Sequence, residues 1–222
     1  MSVLTELVLV RHGEAVINLT PSLDGVCQGL TERGRRQAGL LRDRLAADAA
    51  AGRAFDAAYH STRARSAETA RIVQPALGIP LVAHDGLRTM DHGEPGVNVW
   101  DPASNALGTI PPLVPDRPVN TGGESWQQYL DRSGQALLEI ADKHAGQRVV
   151  VFGHSETSES ACQVFMRLTP GWSRWTYSFV NHTGVTVWQR TYSELPGSHP
   201  DGQWILRVHN NDGHLPDGDR TW

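Results

Sequence analysis

Two histidines, each directly after a short apolar run rich in β-formers, are the residues best placed to do chemistry. His12 lies in Arg11-His12-Gly13-Glu14 after residues 6–10, and His154 lies in Gly153-His154-Ser155 after residues 148–152. Phosphoryl transfer through a covalent intermediate needs an uncharged nucleophile, cations around the phosphate and a donor for the leaving oxygen. Arg11 and His12 supply a cation and a nucleophile side by side. In extended chain neighbouring side chains point to opposite sides, so the chain is expected to bend at Gly13, where a missing Cβ permits a tight turn.

The elements that must position these residues follow from hydrophobic period. Residues 6–10 read as a strand buried on both faces, and similar runs recur at 55–59, 80–83, 148–152, 184–188 and 204–208. Helical patterns fill 31–50, 63–77, 124–144 and 156–168. In the third, Trp126, Tyr129, Leu130, Leu137, Ile140 and Ala141 fall at steps of three and four, behind a Thr121-Gly-Gly-Glu124 that matches a capping box. Alternating strands and helices predict an α/β fold of three α/β/α layers with a mostly parallel central sheet, whose ligands bind beyond the carboxyl ends of the strands. Both histidines sit there.

The 222 residues suffice for one buried core, and no linker divides them, so a single domain over residues 1–222 is expected. Six of the 13 prolines fall in residues 95–118, which predicts an inserted lid-like loop at about 94–121. Net charge is −4, and the basic residues are nearly all arginines spread along the chain, with Lys143 the only lysine, so no nucleic-acid surface is indicated. The apolar stretch at residues 7–10 is far shorter than the roughly 7–15 residues of a signal-peptide core or the about 20 of a membrane span. A soluble cytoplasmic protein with no membrane partner is the expectation. Cys27 and Cys162 lie far apart without paired spacing, and no His, Asp or Glu set has metal-ligand spacing, so neither disulfides nor a metal site is indicated.

Several blocks together carry a family resemblance. Arg11-His12-Gly13-Glu14 with Asn18 resembles RHGExxxN, Leu30-Thr31 through Gln37-Ala38 resembles LTxxGxxQA, and Ser61 through Thr69-Ala70 resembles SxLxRAxxTA, whose arginine falls on Arg65. Gly122-Gly123-Glu124-Ser125 and the strand ending in Gly153-His154 complete the series in order. The chain is thus similar to the histidine phosphatase superfamily, which includes the cofactor-dependent phosphoglycerate mutases. The resemblance implies that His12 attacks phosphorus and becomes phosphohistidine, its other ring nitrogen held by a backbone carbonyl. It implies that Arg11 and Arg65 grip the phosphoryl oxygens as bidentate donors and that His154 donates a hydrogen bond to the same group. Asn18 would touch the phosphate or cap its own turn. His182, ahead of the strand at 184–188, is a further residue that could line a substrate pocket. The aromatic run at 172–179 reads as a packing surface or as the contact of a homodimer rather than a substrate platform.

One departure stands out. The family has Leu-x-Glu with a glycine four residues later, and its glutamate protonates the leaving group. Here Leu87-Arg88-Thr89 puts a threonine at that place, and threonine does not titrate near neutral pH. Asp91, two residues on, and Glu94, after Gly93, are the nearby carboxyls that could replace it. The leading expectation is a phosphatase acting without cofactor on a small phosphorylated metabolite. The alternatives are a phosphoglycerate mutase, opposed by Arg117 being the only cation in residues 96–120, and a binding module that has lost turnover with its acid. A hydrolase using Ser155 is disfavoured, because no glycine lies two residues after that serine.

Overall fold

The computed structural model describes residues 2–19, 28–93, 98, 100–103, 105–192 and 202–222, with side chains from Thr5 onward. The strands are β1 (Ser2–Arg11), β2 (Ala57–Ser61), β3 (Leu81–His84), β4 (Arg148–Gly153), β5 (Val185–Tyr192) and β6 (Gln203–Asn211). The helices are α1 (Val16–Leu19), α2 (Glu32–Ala50), α3 (Ala64–Leu77), α4 (Trp126–Lys143) and α5 (Ser155–Phe165). One sheet runs in the order β3-β2-β4-β1-β5-β6. Its first four strands are parallel, β5 lies antiparallel to β1, and β6 antiparallel to β5.

Strand alternation divides the core between two faces. Leu7, Leu9, Val149 and Val151 pack with Leu137, Ile140 and Ala141 of α4 and with Ala161 and Phe165 of α5. Val8, Val10, Val150 and Phe152 point the other way, onto Leu41 and Leu45 of α2 and Ala70, Val73 and Leu77 of α3. Helices therefore cover both faces, as the near-continuous apolar runs require.

Several boundaries differ from expectation: β1 begins at Ser2 rather than residue 6, and β5 runs on to Tyr192 rather than ending at 188. The capping box of α4 is Ser125 with Gln128, not Thr121 with Glu124. Gly122 has φ 77°, outside helical space, and Glu124 is taken instead by Arg132, whose Nε reaches Oε1 at 2.7 Å. Helix α5 stops at Phe165, short of residue 168, because Arg167 turns left-handed with φ 54°. β2 begins two residues later than expected, leaving Phe55 under the guanidinium of Arg148 at 4.1 Å. No helix among the described residues is long and apolar enough to cross a membrane.

Described parts of the lid-like stretch are ordered by two buried asparagines. Asn105 Nδ2 donates to Thr109 O, while Asn120 Oδ1 accepts from Ala106 N and its Nδ2 donates to His92 O. Trp100 packs edge-on against Trp126 of α4 and Tyr177, at 5.7 and 6.4 Å between ring centres.

Candidate active site

The parallel register of β1 and β4 pairs Arg11 with Gly153, so the two strands release His12 and His154 at one level. The ladder continues one step further, His12 N donating to Gly153 O at 3.1 Å. The two imidazoles lie 5.3 Å apart, edge to face. Gly13 serves a purpose other than a tight turn: a Cβ on it would stand 2.5 Å from Gly34 O, so glycine is needed for close approach to α2. Gly13 N is held by Thr69 Oγ1 of α3 at 3.1 Å.

His12 is buried, and its Nδ1 lies 2.7 Å from Gly13 O. A carbonyl accepts only, so Nδ1 carries the proton and Nε2 the lone pair. Arg65, from the first turn of α3, donates from Nε to that Nε2 at 3.0 Å. Burial above all, with Arg65, His154, Arg11 and His182 around it, holds the His12 imidazole well below its usual range. At neutral pH it is an uncharged nucleophile.

Arg11 is buried, and its Nη1 donates to Val180 O at 2.6 Å while the guanidinium lies 5.9 Å over the Phe179 ring. Burial lowers it to about 10, so it stays charged. His154 caps α5 and places Nε2 at 2.9 Å from Ser61 Oγ. Burial first, then Arg65, Arg63 and Arg11, keep it uncharged near neutrality. His182 lies 5.7 Å from His12, its Nδ1 2.8 Å from Thr221 Oγ1. Burial, with Arg11 next, drives it down to about 2. Gln37 ties this corner together: its Oε1 accepts from Glu14 N, and its Nε2 donates to Thr221 Oγ1 and Asp219 O.

Arg11 Nε, His154 Nδ1 and His182 Nε2 are buried without a hydrogen-bond partner. Buried polar atoms are nearly always paired, so such nitrogens gathered around one nucleophile suit an anionic ligand that supplies oxygens. The positive end of α5 adds to that field.

The chain belongs to the histidine phosphatase superfamily. The model of its branch 1 matches residues 7–195. Two relatives from Arabidopsis thaliana are similar to it. A phosphoglycerate mutase-like protein 4 is 28% identical, covering 97% of this chain and 93% of the relative. A metal-independent phosphoserine phosphatase is 30% identical, covering 76% and 70%. Among solved structures, Bacillus stearothermophilus YhfR superposes with a TM-score of 0.71 at 27% identity, over 95% of this chain and 98% of that one.

Within this superfamily fold the remaining candidates separate. Asn18 is exposed, and its Oδ1 accepts from Ala15 N at 2.9 Å, capping its own turn and bonding to none of the residues around His12. Asp91 accepts from Gly93 N at 3.0 Å and is thus engaged by its own loop. Glu94 lies outside the described residues. Residues 172–179 border the site through Phe179 rather than packing away from it; Phe179 also meets Trp222 at 5.7 Å. Sequence reasoning missed His92, which is within electrostatic reach of Arg65 and Glu156 and is held below the usual imidazole range by burial. It also missed Thr221, whose local sequence carries no signal.

Proposed function

We propose that the chain is a phosphatase that hydrolyses a small phosphorylated metabolite through a phosphohistidine on His12. The observation that carries this reading is the state of His12: uncharged, with Nδ1–H fixed on Gly13 O and the Nε2 lone pair held beside Arg65. A phosphoryl group arriving there meets the guanidiniums of Arg11 and Arg65, the imidazoles of His154 and His182, and the amino end of α5. Oxygens on that group would satisfy Arg11 Nε, His154 Nδ1 and His182 Nε2. As Nε2 bonds phosphorus, the guanidiniums stabilise the charge of the transferring group, and positioning with electrostatics supplies most of the rate. Water then cleaves the P–N bond. The chemistry is assigned to side chains and needs no cofactor.

The relative named a phosphoserine phosphatase makes phosphoserine the first substrate to offer. The mutase alternative is weakened because Arg117, which is exposed, is the only cation in residues 96–120, so no adjacent arginine pair is there to hold a substrate carboxylate. His12→Ala should abolish turnover, and brief incubation of the wild type with a phosphate donor should label His12 in an acid-labile, base-stable form. Unchanged turnover by the variant would sink the mechanism. Isomerisation of 3-phosphoglycerate much faster than phosphate release would replace phosphatase by mutase.

A further inference from the structure

A row of aromatic rings leads from the nucleophile to the lid-like stretch. Phe179 begins it: its ring lies 5.9 Å from the Arg11 guanidinium, and the next residue, Val180, accepts from Arg11 Nη1 at 2.6 Å. Thr183 N donates to Arg11 O at 3.1 Å and to His12 O at 3.3 Å, and the His182 ring lies 5.7 Å from that of His12. Residues 179–183 therefore flank the nucleophile by direct contacts. Tyr177 lies 6.4 Å from Phe179, and Trp100 lies 6.4 Å from Tyr177, so ring follows ring from Arg11 outwards.

The fold holds these rings in place without covering them. Ser178 faces α5, where its N donates to Glu159 and its Oγ lies 2.8 Å from Ser158 Oγ. Tyr177 and Phe179, on either side of it, turn together to the opposite side, as alternate residues of extended chain do. Phe179 O accepts from His209 Nε2 at 3.0 Å, and Trp100 rests edge-on against the fully buried Trp126. Even so, Trp100, Tyr177 and Phe179 keep 37%, 40% and 37% of their surface exposed. Aromatic rings gain much by burial, so a fixed row left open beside a reactive group suits an apolar ligand. The same segments offer little to an acidic one. Residues 96–120 and 172–180 contain two cations, of which Arg117 is exposed and Arg174 pairs with Asp116 at 3.1 Å.

We propose that Trp100, Tyr177 and Phe179 form the leaving-group side of the site and select phosphate monoesters whose alcohol carries an aromatic ring. This deepens the phosphohistidine reading and rests on it. The phosphoryl group lies among the charged groups around His12, while the ring of the alcohol packs against Phe179 and Tyr177 and meets Trp100 at its outer end. Arg11 joins the two halves: its Nε, which has no protein partner, faces a phosphoryl oxygen, and its guanidinium lies against Phe179.

The test compares 2-phenylethyl phosphate with ethyl phosphate, whose alcohols are alike in acidity and differ in the ring, and with phosphoserine, which adds a carboxylate. In the wild type kcat/KM for the phenylethyl ester should exceed that for either of the others by about 10-fold or more. Tyr177→Ala and Trp100→Ala should bring the phenylethyl-to-ethyl ratio down towards one, and Tyr177→Phe, which keeps the ring, should preserve it. A merely structural role would lower both rates together and leave the ratio unchanged. Calorimetric binding of 2-phenylethylphosphonate and ethylphosphonate to the wild type gives the same comparison without turnover or a variant, and the first should bind about 10-fold more tightly. A wild-type ratio near one, a preference for phosphoserine, or a ratio untouched by both alanine variants overturns the proposal. So does dissociation of a dimer by those variants at an unchanged ratio, which would make the rings a subunit contact. If His12→Ala hydrolyses these esters like the wild type, the phosphohistidine reading fails, and the phosphonate comparison alone then decides whether the rings take an aromatic group.

Discussion

Glu159 is the buried group whose removal should change stability most legibly with pH. Its residue has no exposed surface; Oε1 accepts from Ser178 N, and Oε2 has no partner. Burial pushes its carboxyl from 4.5 up to about 8; the Ser178 amide opposes this, and the charge of Glu156 reinforces it. The folded chain therefore keeps a proton on Glu159 that the unfolded chain has released. Between pH 4.5 and pH 8 the unfolded state binds fewer protons, so stability falls as pH rises through that window and levels off above it. One pH unit is worth about 1.4 kcal/mol, and the whole window on the order of 5 kcal/mol. Glu159→Gln keeps an oxygen for Ser178 N and cannot ionise. Its advantage over wild type should be small at the acid end, grow by about 1.4 kcal/mol per pH unit, and reach a plateau near pH 8. Urea unfolding of both proteins across that range, at constant ionic strength, gives the difference directly. A difference that does not change with pH would refute the reasoning.

Two further outcomes are expected. Activity should survive chelation by EDTA and be blocked by vanadate, whose trigonal-bipyramidal adduct resembles in-line transfer, because Arg11 and Arg65 supply the positive field and no cluster of three His, Cys, Asp or Glu among the described residues could hold a metal ion. Loss on chelation, restored by a divalent ion, would contradict this. Gly13→Ala puts a methyl 2.5 Å from Gly34 O, a backbone atom that cannot turn aside. It should cost about 1–3 kcal/mol in unfolding free energy and lower kcat by displacing His12; a change below about 0.5 kcal/mol, as for a surface substitution, would show that the contact relaxes freely.

The half of the site that rests on the sheet was legible in the sequence. A strand buried on both faces advertises itself by apolar runs, and in an α/β sheet chemistry follows the carboxyl ends of such strands, which places His12 and His154 without further information. Arg65 follows from its motif at the start of α3. The rest depends on contacts between residues distant in the chain. His182 was named from its place ahead of β5, but what holds its ring is Thr221, itself held by Gln37 of α2, and no local pattern ties those three positions together. Phe179 reaches Arg11 across a segment without regular structure, where periodicity has nothing to say. The helix start at Ser125 rather than Thr121 was hidden for a related reason, since Glu124 could serve a cap or an arginine and only the fold brings Arg132 to it.

That same Arg132 explains why a threonine can stand at position 89 without disturbing the fold. Its Nη1 donates to Gly86 O at 2.9 Å and Arg88 O at 3.3 Å, and its Nη2 to Thr89 O at 3.4 Å. Glu124, paired with Arg132, accepts from Asp91 N at 2.8 Å. The loop is thus fixed through its backbone, by contacts that do not depend on which side chain residue 89 carries. A loop held this way keeps its path when an acid is lost from it, so the loss is felt by the chemistry and not by stability.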